Sequence, residues 1–176
     1  MHIVMFADQH AEALGGAQVS VRLQRRYLER VGHTVSVVAP RRRGADASVG
    51  RDDPGYVDLP AIALTRDREY SITWPGRRTD PIVDRAMSGR PSPDIVHVQA
   101  EFWGALLGYR YAARHGLPVV HTMHSRIDAG LEATTNLAGA LVPMLNVVRR
   151  LALRGYPGGA AEGGDVWAYL RALARS

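Results

Sequence analysis

The chain has 176 residues, 46% of them hydrophobic and 22% charged, a balance that fits one soluble globular domain and excludes disordered, collagenous and fibrous classes. It contains no cysteine, so disulfide scaffolds, thiolate nucleophiles and iron–sulfur sites are excluded together. All 22 basic residues are arginine, which removes lysine chemistry, and the net charge of +5 is scattered rather than gathered into a stripe, so no nucleic-acid partner is expected.

His2 to Ala7 is apolar from Ile3 onward instead of alternating, the pattern of a strand covered on both faces. A polar loop and Gly15-Gly16 lead into a predicted helix. Its Val19, Leu23 and Tyr27 recur at four-residue spacing, with Leu28 and Val31 beside them, as the expected core-facing stripe. Gly32 ends that helix, and Thr34 to Ala39 reads as a second buried strand closed by Pro40. Two such strands joined by a helix are normally parallel with a right-handed crossover, so the first forty residues predict an open, doubly wound α/β sheet with helices on both faces.

Arg41 to Gly55 is a charged loop; Val57 to Pro60 and Ser71 to Trp74 are short strands or edge pieces. Thr79 to Ser88 can form a helix with Asp80-Pro81 at its start. A strand at Asp94 to Val98, a helix at Phe102 to Arg114 with Gly116 as its C-terminal glycine, and a strand at Pro118 to Met123 restore the βα alternation. Leu131 to Arg154 is helix-like with a kink at Pro143, Gly155 to Gly164 is a glycine-rich loop, and Asp165 caps a last helix with Val166, Tyr169 and Leu170 on its apolar face. Residues 1-154 are therefore expected to form one domain, with 155-176 as its terminal loop and helix.

Ligands of an open parallel sheet bind outside the carboxyl ends of its strands, so the residues following each strand carry the functional reading. After the first strand come Asp8, Gln9 and His10, then Gly15-Gly16 at a helix N-terminus, where free N–H groups favour an anion such as phosphate. The dinucleotide fingerprint Gly-x-Gly-x-x-Gly is absent and Pro40-Arg41 stands where an acidic residue would end the second strand, which disfavours a dehydrogenase. Gln99 and Glu101, and then His124, Ser125, Arg126 and Asp128, reach the same edge from the later strands. His97 and His121, inside apolar runs, read as hydrogen-bonded structural histidines. His121 and His124 are three apart on a strand and face opposite ways, so no metal site is expected. His124 can donate a hydrogen bond to a ligand hydroxyl or to developing charge. No Gly-x-Ser-x-Gly elbow occurs, and Asp8, Glu101 and Asp128 read as surface carboxylates before they read as a glycosidase pair.

The strand His2 to Ala7, Gly15-Gly16-Ala17, Gly32-His33-Thr34-Val35-Ser36-Val37, Asp94-Ile95-Val96-His97-Val98 and His121-Thr122-Met123-His124, in this order, resemble the N-terminal domain of the family 4 glycosyltransferases, retaining enzymes of GT-B architecture. The resemblance implies a Rossmann-like acceptor-side domain facing a C-terminal donor-binding domain or subunit across a cleft. A hexosyl group would pass from a nucleotide-sugar to a carbohydrate or lipid-linked acceptor, with no metal or other cofactor. By position, Gly15 and Gly16 match the glycine loop near the donor phosphate and sugar, and His124 matches the histidine of a Thr-x-His motif at the reaction centre. Gln99 stands where many relatives have a second histidine, and it joins Glu101, Arg126 and Asp128 as acceptor contacts.

Nothing in the chain matches the donor-binding half, so the resemblance implies roughly half an enzyme, inactive alone. The alternative reading is a non-catalytic α/β module that binds a nucleotide or sugar and docks onto a partner subunit. No stretch reaches the roughly 18 apolar residues of a membrane span, and the opening apolar run is too short for a signal peptide. The expected location is cytoplasmic, with peripheral association at the inner membrane surface as the contact its basic charge would favour.

Overall fold

Runs of Ile, Val and Met fully removed from water on both faces form the middle of the sheet. In the computed structural model, β1 (His2–Ala7) is buried at every position and lies between β2 (Thr34–Pro40) and β6 (Ile95–Gln99). The structure describes residues 1–42, 48, 50, 52–63, 66, 70–124, 143, 147, 150, 151, 168 and 171. With β3 (Tyr56–Leu59) and β7 (Val119–His121) at the edges, the strand order is β3-β2-β1-β6-β7, and all four pairings are parallel. The registers run from His2 opposite Thr34 and from Ile3 opposite Ile95. A separate antiparallel pair joins β4 (Ile62–Ala63) to β5 (Ser71–Ile72).

Among the described residues of this part of the chain there are three helices: α1 (Gly16–Arg30), α2 (Asp80–Ser88) and α3 (Trp103–His115). Side chains of β1 alternate between the two faces of the sheet. Ile3 and Met5 pack with Val35, Val37, Ala11 and the α1 residue Val21. Phe6 meets Tyr111 of α3 at 5.6 Å between ring centroids on the opposite face. Helix α3 approaches β1 closely because Gly104 and Gly108 bear no side chain. A Cβ at Gly104 would stand 2.6 Å from the Ala7 carbonyl carbon, and one at Gly108 would stand 2.8 Å from a Val98 methyl. Gly116, left-handed at φ 63°, closes α3 as expected for a C-terminal glycine. Ion pairs lock α2 to α3: Arg110 binds Asp80, and Arg114 and His115 bind Asp84 at 2.9 and 3.0 Å.

The expected stripe on α1 is not the buried one. Val19, Leu23 and Tyr27 are exposed, and Val21, with Leu28 packed beside it, faces the core. The helix carries apolar residues on two faces, and only one can rest on β1 and β2. Leu23, Tyr27 and Leu28 instead border an open groove of about 450 Å³ whose other wall includes Ile3, Ile95 and Val120.

The chain divides into two compact units, Met1–Thr122 and Met123–Ser176. In the second, the described residues Pro143, Val147, Arg150, Leu151, Ala168 and Arg171 are helical and Ala168 is fully buried. The remainder of the helix expected at Leu131 to Arg154, the glycine-rich loop and most of the final helix lie outside the described residues.

Candidate active site at the carboxyl edge

Connections leave β1 toward β2 on one side and β6 toward β7 on the other, so the strand order reverses between β1 and β6, and the crevice at their carboxyl ends is the expected ligand site. Asp8, directly after β1, closes one side of it. One carboxylate oxygen accepts the backbone N–H groups of Glu101 (2.8 Å) and Phe102 (3.0 Å), and the other accepts that of Gly104 (2.8 Å). Phe102 is the N-cap of α3 and Gly104 lies in its first turn, so Asp8 caps that helix from up to 96 residues away in sequence. Burial pushes its pKa up to about 6, against the lowering effect of the three N–H groups and with a contribution from the negative charge of Glu101. Glu101 is itself buried. The expectation of a surface carboxylate thus fails for Glu101, which is enclosed, while the partly buried Asp8 holds a helix end beside it.

Gln9 is also engaged within the protein. Its amide donates to the Ser71 carbonyl at 2.8 Å and accepts the Ser71 N–H at 3.0 Å, which fastens β5 to the edge. His10 is buried against Tyr56, with Asp58 3.3 Å away.

Gly15 is the N-cap of α1. At φ 144° and ψ 157° it occupies a region that is essentially glycine's alone, and a Cβ there would also meet the Gln18 amide oxygen at 2.2 Å. Gly16 is exposed and has open space where a side chain would be. The helix start has neither a side-chain cap nor an acidic residue in its first turn, which leaves its N–H groups and positive dipole end for an anion.

Of the expected acceptor contacts, Gln99 ends β6, is 3% exposed, and donates to the Gln24 side chain. The structure therefore brings Gln99, Glu101, Asp8 and the start of α3 together. Arg126 and Asp128 lie outside the described residues. His97 pairs with the Thr122 hydroxyl at 2.8 Å and His121 with the Ala100 carbonyl at 2.7 Å, so both are the hydrogen-bonded strand histidines the sequence suggested. His124 is partly exposed and lies in the second unit. Among the described residues no group of His, Asp and Glu is arranged to hold a metal ion.

Sequence reading did not single out two residues at this edge. Trp103 opens α3, and Trp74, two residues after β5, packs on it with ring centroids 5.3 Å apart. Their 29-residue separation carries no periodic signal; only the unusual choice of tryptophan beside a loop could have drawn attention to them.

A model of the family described as Glycosyltransferase Family 4 matches residues 14–161, from the glycine start of α1 through the end of the sheet and beyond. The chain belongs to glycosyltransferase family 4. Two relatives of this family 4 chain carry the name alpha-monoglucosyldiacylglycerol synthase. The Streptococcus pneumoniae (strain ATCC BAA-255 / R6) protein is 26% identical over 131 residues, covering 73% of this chain and 27% of the relative. The Acholeplasma laidlawii protein is 25% identical over 154 residues, covering 86% and 36%. The chain thus spans about a third or less of the length of these relatives. The crystal structure of MurG from Acinetobacter baumannii aligns with a TM-score of 0.46 at 17% identity, covering 77% of this chain and 39% of that one.

Proposed function

We propose that this chain supplies the acceptor side of a retaining hexosyltransferase, which moves a sugar from a nucleotide-sugar to a lipid-linked or carbohydrate acceptor and requires a C-terminal donor-binding domain or subunit. The observation that carries the reading is the uncapped, glycine-framed start of α1 at the switch-point edge, inside the segment that matches the family. An exposed helix N-terminus with no acidic residue in its first turn stabilises negative charge, and a nucleotide-sugar releases its charge as a phosphate. In this reading Gly15 and Gly16 allow the donor phosphate and sugar to approach the backbone. His124 donates to the transferring sugar or departing phosphate. Gln99 and Glu101 form the floor of the acceptor site, with Arg126 and Asp128 assigned to the acceptor by sequence position.

The chemistry consists of positioning and charge stabilisation on one face of the sugar, and no metal or other cofactor takes part. The two relatives named for glucosyldiacylglycerol synthesis support a glycerolipid as the lipid-linked choice. The net charge of +5 suits peripheral contact with an anionic bilayer from the cytoplasmic side. No helix among the described residues is long and apolar enough to cross one.

The test is a transfer assay on the complete enzyme with a panel of nucleotide-sugars and with diacylglycerol or disaccharide acceptors, reading product anomeric configuration by NMR. Retained configuration, insensitivity to EDTA and a loss of roughly 10²-fold or more in kcat for His124→Ala are expected. An inverted product, or near-normal turnover of His124→Ala, would overturn the mechanism. Turnover by the 176-residue chain alone would overturn the need for a donor domain.

A further inference from the structure

We propose that Trp74 and Trp103 form a stacking platform for a pyranose ring at the carboxyl edge of the sheet. Asp8 is engaged by three N–H groups at the start of α3, those of Glu101, Phe102 and Gly104, Gln9 by both backbone groups of Ser71, and the side chain of Gln99 by Gln24. The polar side chains a ligand would be expected to meet there are thus committed to the fold. The tryptophan pair is not: Trp74 is 47% exposed, and among the described residues neither indole N–H has a hydrogen-bond acceptor.

Both rings are held in advance of any ligand. The Thr79 hydroxyl donates to the Trp74 carbonyl at 2.6 Å, and Pro75 follows, buried. Trp103 lies within the turn that Asp8 caps, flanked by Phe102 and Gly104, whose N–H groups the carboxylate binds. The Gln9–Ser71 pair ties the strand that leads to Trp74 onto the same edge. The rings are tilted by 37°, and Trp74, nearly half exposed, offers its ring surface to solvent. An aromatic face is electron-rich and attracts polarised C–H groups, and the two free N–H donors suit hydroxyls. A pyranose ring presents both features on adjacent surfaces, whereas an acyl chain presents only the first. Holding the platform rigid lowers the entropy lost on binding.

That this ring belongs to the acceptor rests on the proposed transfer; the platform itself does not. The probe is methyl α-D-glucopyranoside, titrated into the 176-residue chain in a Trp167→Phe background, so that emission comes from Trp74 and Trp103 alone. A saturable emission change is expected, weakened about tenfold or more in Trp74→Ala and partly restored in Trp74→Phe, with unchanged far-ultraviolet circular dichroism. If Trp74→Ala does not fold, Trp74→Phe against the parent decides through the weaker binding alone. No saturable response to the glucoside, or a response to dioctanoylglycerol in its place, would overturn the proposal. Transfer by the complete enzyme with acceptor KM unchanged in Trp74→Ala would refute the assignment of the ring to the acceptor. Glucoside binding without any transfer activity would support the platform and refute only its assignment to an acceptor.

Discussion

The Gln9 side chain pairs with the backbone of Ser71 in both directions, donating to its carbonyl and accepting its N–H, 62 residues away in sequence. A side-chain amide thus acts as the missing neighbour of a two-residue strand, and the loop after β1 and the β4–β5 pair move as one. Replacing Gln9 with alanine should cost about 1 kcal/mol for each lost bond. The more specific sign is faster hydrogen exchange at the Ser71 amide, with little change at amides of β1. Unchanged Ser71 protection would show that the pair contributes nothing to holding β5.

Asp8 makes the fold sensitive to pH in an unusual direction for a carboxylate. Its native pKa of about 6 lies above the ordinary 3.8, so between about pH 4 and 6 the folded chain holds more protons at this position than the unfolded one. Its contribution to stability is therefore greatest below pH 4 and declines as pH rises through 6. Asp8→Ala should remove that decline and also leave the N–H groups of Glu101, Phe102 and Gly104 without their acceptor, at a cost of about 1–2 kcal/mol. Denaturant midpoints of both proteins across pH 4 to 7 provide the check; parallel curves would contradict it.

Opposite behaviour is expected at Asp53, whose pKa is lowered, first of all by hydrogen bonds from Arg25 at 2.8 and 2.9 Å. Here stability is present above the ordinary carboxylate pKa and is lost as pH falls below it. Arg25 also lies over the Tyr56 ring at 4.7 Å, which lysine's point charge cannot reproduce together with a two-pronged contact. Arg25→Lys should raise the Asp53 pKa, measurable by NMR titration.

Gly104→Ala should destabilise the fold by about 1–3 kcal/mol, since the new methyl meets the Ala7 backbone, which cannot move aside. Gly108→Ala should cost less, because its nearest obstacle is a Val98 methyl. Thermal melts of the two variants should rank in that order.

Gly15→Ala tests the donor-side assignment. The substitution forces a backbone region that costs about 1–3 kcal/mol for a residue with a side chain, and it displaces Gln18. In the complete enzyme, KM for the nucleotide-sugar should rise by more than the change in acceptor KM.

Much of the fold was legible because parallel, doubly covered strands are continuous apolar runs. His2 to Ala7, Thr34 to Ala39 and Asp94 to Val98 each became a central strand within a residue or two of the expected bounds. The orientation of α1 was not legible: Val19, Leu23 and Tyr27 satisfy the helical period as well as Val21 and Leu28 do, and only the sheet decides which set it covers. At the candidate site, the place of Gly15 and Gly16 at a helix start was legible because a helix start is a local event. The roles of Asp8 and Gln9 could not, since their partners lie 62 to 96 residues away and are backbone groups that any residue could supply.

The place of β1 at the centre of the sheet also sets the order in which the chain can assemble. Its pairing with β2 closes over about thirty residues, but its other edge must wait for Ile95 to Gln99. At ribosomal rates of about 5–20 residues per second, that interval lasts several seconds. During it a strand apolar from Ile3 onward presents an unpaired row of N–H and C=O groups, the kind of edge that templates aggregation. Yield in the cell should therefore depend on what shields β1 while the next sixty residues are being made, more than on the stability of the finished sheet.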